Sequence, residues 1–237
     1  MSGAGYIGLA RQSGLLREMQ SVANNIANIS TTGFRKEGVV FAEFVSDTGG
    51  DSVSIATALG RKTDPSQGML KSTSGRFDFA IEGEGFFQVQ TPDGPKLTRA
   101  GAFMPNAENI LVNPEGFALL DNGEAPIFIP PNTRGIALAP DGTLSADGVP
   151  LAEVGVVLPV DEKTVTRSAG TLFQSPDGVV PVQIPSILQG YLESSNVDPV
   201  TEMTRMIEIQ RGYELGQKFL DREDERIRTV IRTLGQK

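Results

Sequence analysis

Apolar side chains near the start of the chain recur at spacings that alternate between four and three residues. The five positions are Leu15, Met19, Val22, Ile26 and Ile29. This spacing places them on one face of a helix, and the pattern predicts a helix over roughly residues 4–30. Asn24, Asn25 and Asn28 fall on another side of the same helix. The helix is therefore expected to have two distinct faces.

The same alternation runs through the end of the chain. The positions are Met206, Gln210, Tyr213, Gln217, Leu220, Asp224, Ile227, Ile231 and Leu234. Asp198 suits an N-cap and Pro199 suits the first helical position, so we expect a helix from about Pro199 almost to the end. A partly polar seam of this kind is typical of helices that join a multi-helix assembly. The alternative is that the two helices pack only on each other or on the middle of the chain.

The middle of the chain has the pattern of short strands. The segment "FDFAIEGEGFFQVQ", Phe77 to Gln90, mixes alternation with aromatic residues, and a series of Asp-Gly and Asn-Gly turn signals follows it. This arrangement favours a sandwich or barrel-like domain. Residues 46–74 are rich in Gly, Ser, Thr and Asp, and we interpret them as an extended or mobile connector.

These patterns predict an α+β chain in which a central all-β, sandwich or barrel-like domain is inserted between N- and C-terminal coiled-coil-type α-helices. The expected boundaries are 1–45 for the N-terminal helix and its following loop, 46–74 for the connector, 75–186 for the β domain and 187–237 for the C-terminal helix.

Composition narrows the function. The chain has 21 Lys and Arg against 29 Asp and Glu, a net charge of −8, which argues against nucleic acid as a partner. It has no cysteine and no histidine, so thiolate nucleophiles, Cys/His zinc sites and the usual general base are excluded. We predict no cofactor and no metal. The N-terminal residues lack a basic start followed by an apolar run, so we expect neither a cleaved signal peptide nor direct membrane insertion.

Two candidate sites have simpler explanations. Gly83-Glu84-Gly85 resembles the start of a dinucleotide fingerprint, but no third glycine follows at position 88, so a tight turn is favoured. Acidic residues are spread over the turns, where they support the turn itself. No motif singles out a catalytic pair, and we predict that the chain is not an enzyme. A secreted glycan-active β domain, with two carboxylates meeting in the fold, is kept as the remote alternative.

The asparagines of "SVANNIANISTTGFRK", Ser21 to Lys36, require an explanation because Asn is a poor helix former. An uncharged amide both donates and accepts, so a row of amides can bind a partner's backbone or a neighbouring chain. Capping of the helix end by Asn28 or Ser30 is the competing explanation. Gly33 is expected to take the positive φ that ends the helix before Phe34.

Three segments together resemble one known family. Ala23 to Asn28 followed by Thr32-Gly33-Phe34 is similar to the N-terminal signature of bacterial flagellar rod and hook proteins. The segment "QGMLKSTSGRFDFAIEGEGFFQV", Gln67 to Val89, resembles the opening of the family's central β domain. The segments "LESSNVDPVTEM" (192–203) and "MIEIQRGYE" (206–214) resemble its C-terminal signature. The resemblance spans nearly the whole chain.

The resemblance implies a structural subunit of the flagellar axial structure. Members of the family are exported by the flagellum-specific type III apparatus without signal cleavage and polymerise helically in the periplasmic part of the basal body. Their terminal helices form an inner tube that serves as the export channel wall and transmits torque. The implied partners are the chain itself, other rod subunits and the export apparatus.

The residues expected at the assembly interface come from the apolar stripe, the amide face, the family signatures and the C-terminal seam. They are Leu15, Met19, Val22, Asn24, Asn25, Ile26, Asn28, Gly33, Phe34, Asn196, Met203, Met206, Gln210, Tyr213, Gln217, Leu220, Ile227 and Ile231.

The position of the subunit within the rod follows from length and from the first residues. The chain is too short for the hook protein. Its start, "MSGAGYIGLARQSGLLREMQSVANNIAN", is most similar to that of a proximal-rod member of the family. A distal-rod subunit, which would differ mainly in position and copy number, is the alternative.

Overall fold

The computed structural model describes residues 3–47 and 52–234. The described part has two helices, α1 (Gly3–Ala27) and α2 (Pro199–Leu234). The strands between them are β1 (Glu37–Asp47), β2 (Ser52–Thr63), β3 (Leu70–Ser72), β4 (Phe79–Ile81), β5 (Phe86–Thr91), β6 (Gly94–Thr98), β7 (Met104–Pro105), β8 (Leu111–Val112), β9 (Ala118–Leu119), β10 (Ile136–Leu138), β11 (Thr143–Ala146), β12 (Val149–Glu153), β13 (Val156–Pro159), β14 (Thr166–Ala169), β15 (Leu172–Gln174), β16 (Val179–Pro181), β17 (Ile187–Gln189) and β18 (Tyr191–Glu193). This order confirms the predicted α+β class.

The chain forms two compact units. The helix–hairpin unit takes the described parts of residues 1–27, 36–64 and 197–237, and the β unit takes residues 28–35 and 65–196. The chain passes from one unit to the other between 27 and 28, 35 and 36, 64 and 65, and 196 and 197. Both helices belong to the same unit although they are at opposite ends of the sequence.

The helix–hairpin unit contains a long antiparallel hairpin beside the two helices. Strands β1 and β2 pair from Glu37 opposite Thr63 to Asp47 opposite Ser52, with an irregularity after Val40. Residues 46–74, which the sequence indicated as an extended or mobile connector, therefore contain strand β2 and, farther on, strand β3. Alternation is present in "VSIATAL" within β2, but Ala, Ser and Thr carry much of it, so its hydrophobic signal is weak.

The β unit is built on one large antiparallel sheet. Its main path runs β14-β15-β6-β5-β9-β8-β7, and β13 joins β5 to β16 off this path. A three-stranded sheet, β10-β11-β12, and the pairs β17-β4 and β18-β3 complete the unit. The fully buried core side chains come from several of these strands and include Phe79, Phe87, Val89, Leu111, Leu119 and Leu144.

The Asp-Gly turn signals of the sequence have the expected backbone. The glycines of four Asp-Gly pairs, Gly94, Gly142, Gly148 and Gly178, all have φ between 83° and 101°. Gly83 and Gly85 also have positive φ, 100° and 117°, which fits the tight-turn interpretation of this pair. A Cβ on Gly85 would lie 2.6 Å from Val156 Cγ1, so this turn has no room for a side chain.

Helix α2 begins where its cap predicts. The Thr201 N–H donates to Asp198 Oδ1 at 2.7 Å, and the Glu202 N–H donates to the Asp198 carbonyl at 3.1 Å. Helix α1 ends at Ala27, before the residue expected from periodicity, and turns follow it. Neither helix in the described part of the chain combines the length and apolarity needed to cross a membrane.

Candidate assembly surface and its internal supports

The Asn25 side chain joins three elements of the helix–hairpin unit. Its Nδ2 donates to the Glu37 carbonyl at 2.8 Å and to Glu202 Oε2 at 3.0 Å. Its Oδ1 accepts from the Glu37 N–H at 2.9 Å. Asn25 and Glu202 are fully buried. One amide on α1 therefore fixes the first residue of β1 and the first turn of α2.

Charged groups surround this amide and balance one another. Lys36 Nζ lies 2.6 Å from Glu202 Oε1, and Arg61 Nη1 lies 3.6 Å from Glu37 Oε2. Asn24 Nδ2 also donates to Glu37 Oε2 at 3.3 Å. Since a buried carboxylate is costly without a partner, these pairs explain how two of them fit beside one helix.

Helices α1 and α2 run antiparallel along the unit. Gly8 lies against Leu220, while farther along α1 Gln12 Nε2 donates to the Tyr213 carbonyl at 2.9 Å. Near the start of α2, Arg205 Nη2 lies 2.6 Å from Glu18 Oε1. Later residues of α1 therefore contact earlier residues of α2, as expected for an antiparallel pair.

Most of α2 is exposed. Only Glu202 and Ile209 are buried among its residues. Its large exposed apolar side chains are Val200, Met203, Ile207, Leu215, Phe219, Ile227, Val230, Ile231 and Leu234. We call residues 221–234 the α2 overhang. This segment begins directly after Leu220, which lies against Gly8 of α1, and it carries the last four exposed apolar side chains of the helix. Within it Ile227, Ile231 and Leu234 continue, at helical spacing, the side of α2 that packs on α1.

Helix α1 also has an exposed stripe, on the side away from its buried residues. Its members are Leu9, Ser13, Leu16, Gln20, Ala23 and Ala27, all exposed. They are spaced by four and three residues, and we call them the α1 outer stripe. Leu9 and Leu16 are 60% and 46% exposed. Small residues between leucines allow a second helix to approach closely.

The residues expected at the assembly interface separate by burial. Buried within the chain are Val22, Asn25, Gly33 and Phe34; half-buried are Leu15, Met19, Asn24, Ile26, Asn28, Asn196, Met206, Tyr213 and Leu220; exposed are Met203, Gln210, Gln217, Ile227 and Ile231. The buried group contacts this chain itself, so an interface with a neighbour is available only to the others.

Gly33 and Phe34 are held inside the β unit. Gly33 has φ 68°, as the sequence predicted, and a Cβ there would lie 2.2 Å from the Ala100 nitrogen. The Phe34 ring lies 4.4 Å from the Arg167 guanidinium carbon. Asn28, in the same unit, accepts from the Thr31 N–H and hydroxyl at 3.2 and 3.0 Å, which supports its local role in the turn.

Sequence reasoning missed the residues that set the helix contact. Glu202 bonds Asn25 of α1, and Gly212 and Gly216 lie against Leu15 and Gln12. The predicted seam included Tyr213 and Leu220, which do contact α1, but it had the exposed Gln210 and Gln217 beside them. The signal that could have found them is the pair of glycines four residues apart inside a long helix, since glycine in a helix interior usually marks a close approach.

Comparison with known proteins gives three family matches, at the start, in the middle and at the end of the chain. The family described as "Flagella basal body rod protein" matches residues 6–35. "Flagellar hook protein FlgE/F/G D1 domain" matches residues 80–146, and "Flagellar basal body rod FlgEFG protein C-terminal" matches residues 188–233. The first match covers most of α1 and the following residues to 35, the second lies within the β unit, and the third covers the end of the β unit and nearly all of α2.

Three relatives illustrate the similarity over nearly the full length of the chain. The flagellar basal-body rod protein FlgF of Caulobacter vibrioides is 38% identical over 100% of this chain and 99% of its own. FlgF of Mesorhizobium japonicum is 34% identical over 98% of each chain. The flagellar basal-body rod protein FlgG of Bacillus subtilis is 29% identical over 95% of this chain and 97% of its own.

A long helix with most of its surface exposed, anchored beside a second helix, is typical of a structural protein that completes its packing in an assembly. The chain belongs to the flagellar basal-body rod protein family, and among the relatives compared it is most like FlgF. It is thus a structural subunit of the flagellar rod, located in the basal body, that assembles with other rod subunits. The family is not one of enzymes, so the glycan-active alternative is withdrawn.

Proposed function

We propose that this chain is a proximal-rod subunit that polymerises helically with itself and with neighbouring rod proteins. In this arrangement the terminal helices form the wall of the export channel and transmit torque across the periplasm. The chain reaches the rod through the flagellum-specific export apparatus. The similarity to FlgF proteins supports the proximal position.

The observation that carries the proposal is the α2 overhang. Ile227, Ile231 and Leu234 are 37%, 64% and 71% exposed, although they continue the side of α2 that packs on α1. Burying such a side chain is worth about 2 kcal/mol. The gain is available only when another helix covers the overhang.

The α1 outer stripe of a neighbouring subunit is the surface we assign to the overhang. Both surfaces have helical spacing and carry exposed leucine or isoleucine side chains, and the contact would add an α1–α2 pairing between subunits to the one within each subunit. Gln210 and Gln217 lie exposed on the same helix, and at such positions an amide can fix register.

Cysteine cross-linking tests the contact, because the chain has no cysteine of its own. A Leu16→Cys, Ile231→Cys variant should form disulfide-linked oligomers in assembled rods and none in dilute monomer. Leu16→Cys with Arg228→Cys is the matched control, since Arg228 lies on the overhang but off the stripe. Equal linking by both pairs, or linking by neither, contradicts the assignment.

Position within the rod is tested by the identity of the cross-linked neighbour. A proximal subunit should link to other proximal-rod proteins as well as to itself. Links only to distal-rod copies would favour the distal alternative.

Deleting residues 221–237 should leave the β unit folded and abolish incorporation into rods, and normal motility from that truncation would contradict the assembly role of the overhang.

A further inference from the structure

Glu193 is a buried carboxylate that joins separate segments of the β unit. Its side chain is 1% exposed, at the end of strand β18. Oε2 accepts from Arg99 Nε at 2.8 Å, and Oε1 lies 3.1 Å from Arg35 Nη2. Oε1 also accepts from the Gly68 N–H at 2.9 Å, and the Glu193 carbonyl accepts from the Gly33 N–H at 2.8 Å.

Arg99 attaches this carboxylate to the rigid part of the β unit. Its Nη1 donates to the Gly85 carbonyl at 2.6 Å and its Nη2 to the Gly83 carbonyl at 2.7 Å. The side chain is 1% exposed. Burial lowers the pKa of Arg99, and the charge of Glu193 opposes that shift. A buried ion pair often stabilises a fold no more than well-packed apolar residues of similar volume would, so the contribution we consider for this pair is the geometry that it fixes.

The segments that meet at Glu193 are those that lead out of the β unit. Gly33 and Arg35 belong to residues 28–35, which continue into the helix–hairpin unit at both ends. Gly68 follows the connection at 64 and 65 by a few residues, and Glu193 itself shortly precedes the connection at 196 and 197. All four connections therefore run from segments fixed around one carboxylate.

Further contacts tie these segments to each other and to the sheet. Arg167, on strand β14, donates from Nη2 to the Arg35 carbonyl at 2.5 Å, and its guanidinium stacks between Phe34 and Phe173 at 4.4 and 4.7 Å. Asn196 Nδ2 donates to the Ser66 carbonyl at 2.8 Å. The exits of the chain are thus fixed by specific polar contacts.

We infer that Glu193, with Arg35 and Arg99, is the junction that fixes the chain connections on the β unit and through which force passes along the chain between the two units. Glu193 is a positioning residue in this role. Force carried by the backbone must cross the four connections. If the contacts of Glu193 are weakened, the connecting segments should therefore shift under load while the core of the β unit stays folded. The inference rests on the proposed torque-transmitting function.

Glu193→Gln in the full chain is the main test. The amide retains the size of the side chain but removes the carboxylate charge that pairs with the two buried guanidinium groups of Arg35 and Arg99. We expect amide hydrogen exchange at Gly33 and Gly68 to rise at least tenfold, while exchange at Phe87 and Leu119 in the core is unchanged. Cells that carry the variant should swim normally in dilute medium and lose more than half their wild-type speed in viscous medium.

Glu82→Gln is the matched control, because Glu82 is an exposed carboxylate of the same unit that accepts from the Ser186 hydroxyl. It should behave as wild type in every measurement. Should Glu193→Gln fail to fold, as faster core exchange would show, Arg35→Gln replaces it, since that change keeps the Arg99–Glu193 pair.

Each outcome decides the inference. Unchanged exchange at Gly33 and Gly68, or unchanged speed under load, overturns it. A loosened but folded variant that does not enter rods also overturns the force role, because the junction would then serve assembly. If the wild-type chain itself fails to enter rods, the proposed function fails, while the exchange measurements still report on the junction.

Discussion

At the scale of single residues, the side-chain amide of Asn25 bonds the backbone of Glu37 in the way that the backbone of a paired strand would. Its amide donates to the Glu37 carbonyl and accepts from the Glu37 N–H. The sequence indicated an unusual amide row but could not indicate its partners, because Glu37 and Glu202 are brought to it only by the fold. The cost of Asn in a helix is offset here by intrachain bonds.

Asn25→Ala should destabilise the helix–hairpin unit by about 2–4 kcal/mol, because it removes three buried hydrogen bonds to Glu37 and Glu202. Loss of helical circular dichroism during urea unfolding measures the change. Asn24→Ala, which removes a longer 3.3 Å bond from a half-buried amide to Glu37 Oε2, should cost less, about 1 kcal/mol. Equal costs for the two variants would show that the bridge to β1 and α2 is unimportant.

Asp198 gives the start of α2 a pH dependence. The hydrogen bond from the Thr201 N–H holds the pKa of Asp198 below its usual range. A carboxylate with a depressed pKa stabilises the fold above its unfolded pKa, and this contribution is lost as the pH falls through the lowered value. The protection of the Thr201 amide, measured as its exchange rate relative to the intrinsic rate at the same pH, should therefore fall in acid. Asp198→Asn, which keeps a neutral cap, should remove this dependence; a persisting dependence would assign it to another group.

At the scale of elements, two glycines of α2 are inequivalent. A Cβ on Gly212 would lie 3.7 Å from Leu15 Cδ1, an ordinary contact. A Cβ on Gly216 would lie 2.5 Å from Gln12 Nε2, the atom that donates to the Tyr213 carbonyl. Close packing of the helices depends on the second glycine more than on the first.

Gly212→Ala should stabilise the helix–hairpin unit by about 1 kcal/mol through helix propensity. Gly216→Ala has the same propensity gain but displaces Gln12 and its hydrogen bond, which removes about 1 kcal/mol. The two variants serve as controls for each other in chemical unfolding. A stabilised Gly216→Ala variant would mean that Gln12 finds an equivalent partner elsewhere.

The two helices could be predicted from the sequence, whereas the contact face of α2 could not. Periodicity identifies a stripe, but neighbouring stripes of a helix differ by one residue, as Gln210 does from the buried Ile209. Which stripe is used depends on the partner. The hairpin was not predicted because its strands are rich in small polar residues, and the register that joins Glu37 to Thr63 is a property of the pair.

At the scale of the whole molecule, charge is unevenly divided. Over residues 28–35 and 65–196 the sequence has 15 acidic and 8 basic residues, whereas the remainder has 14 acidic and 13 basic. Almost all of the net charge therefore belongs to the β unit. The nearly neutral helix–hairpin unit can pack against copies of itself with little repulsion.

Stability should be graded along the dilute monomer. We expect the slowest amide exchange in the β-unit core, faster exchange over residues 199–220, where α2 packs on α1, and the fastest over residues 221–234, whose side chains are mostly exposed. Hydrogen exchange read by mass spectrometry measures the order. Assembly should slow exchange most in the overhang. Strong protection of residues 221–234 in the monomer would contradict the view that their partner is another subunit.

The overhang and the α1 outer stripe are different surfaces of one subunit. A contact from the first to the second, repeated from copy to copy in the proposed helical array, is heterologous and leaves the array open. Its two ends are then unlike, since one displays uncovered overhangs and the other bare α1 stripes. Such an array has an intrinsic direction of growth, and an adjoining protein can distinguish its beginning from its tip by the surface that each one offers.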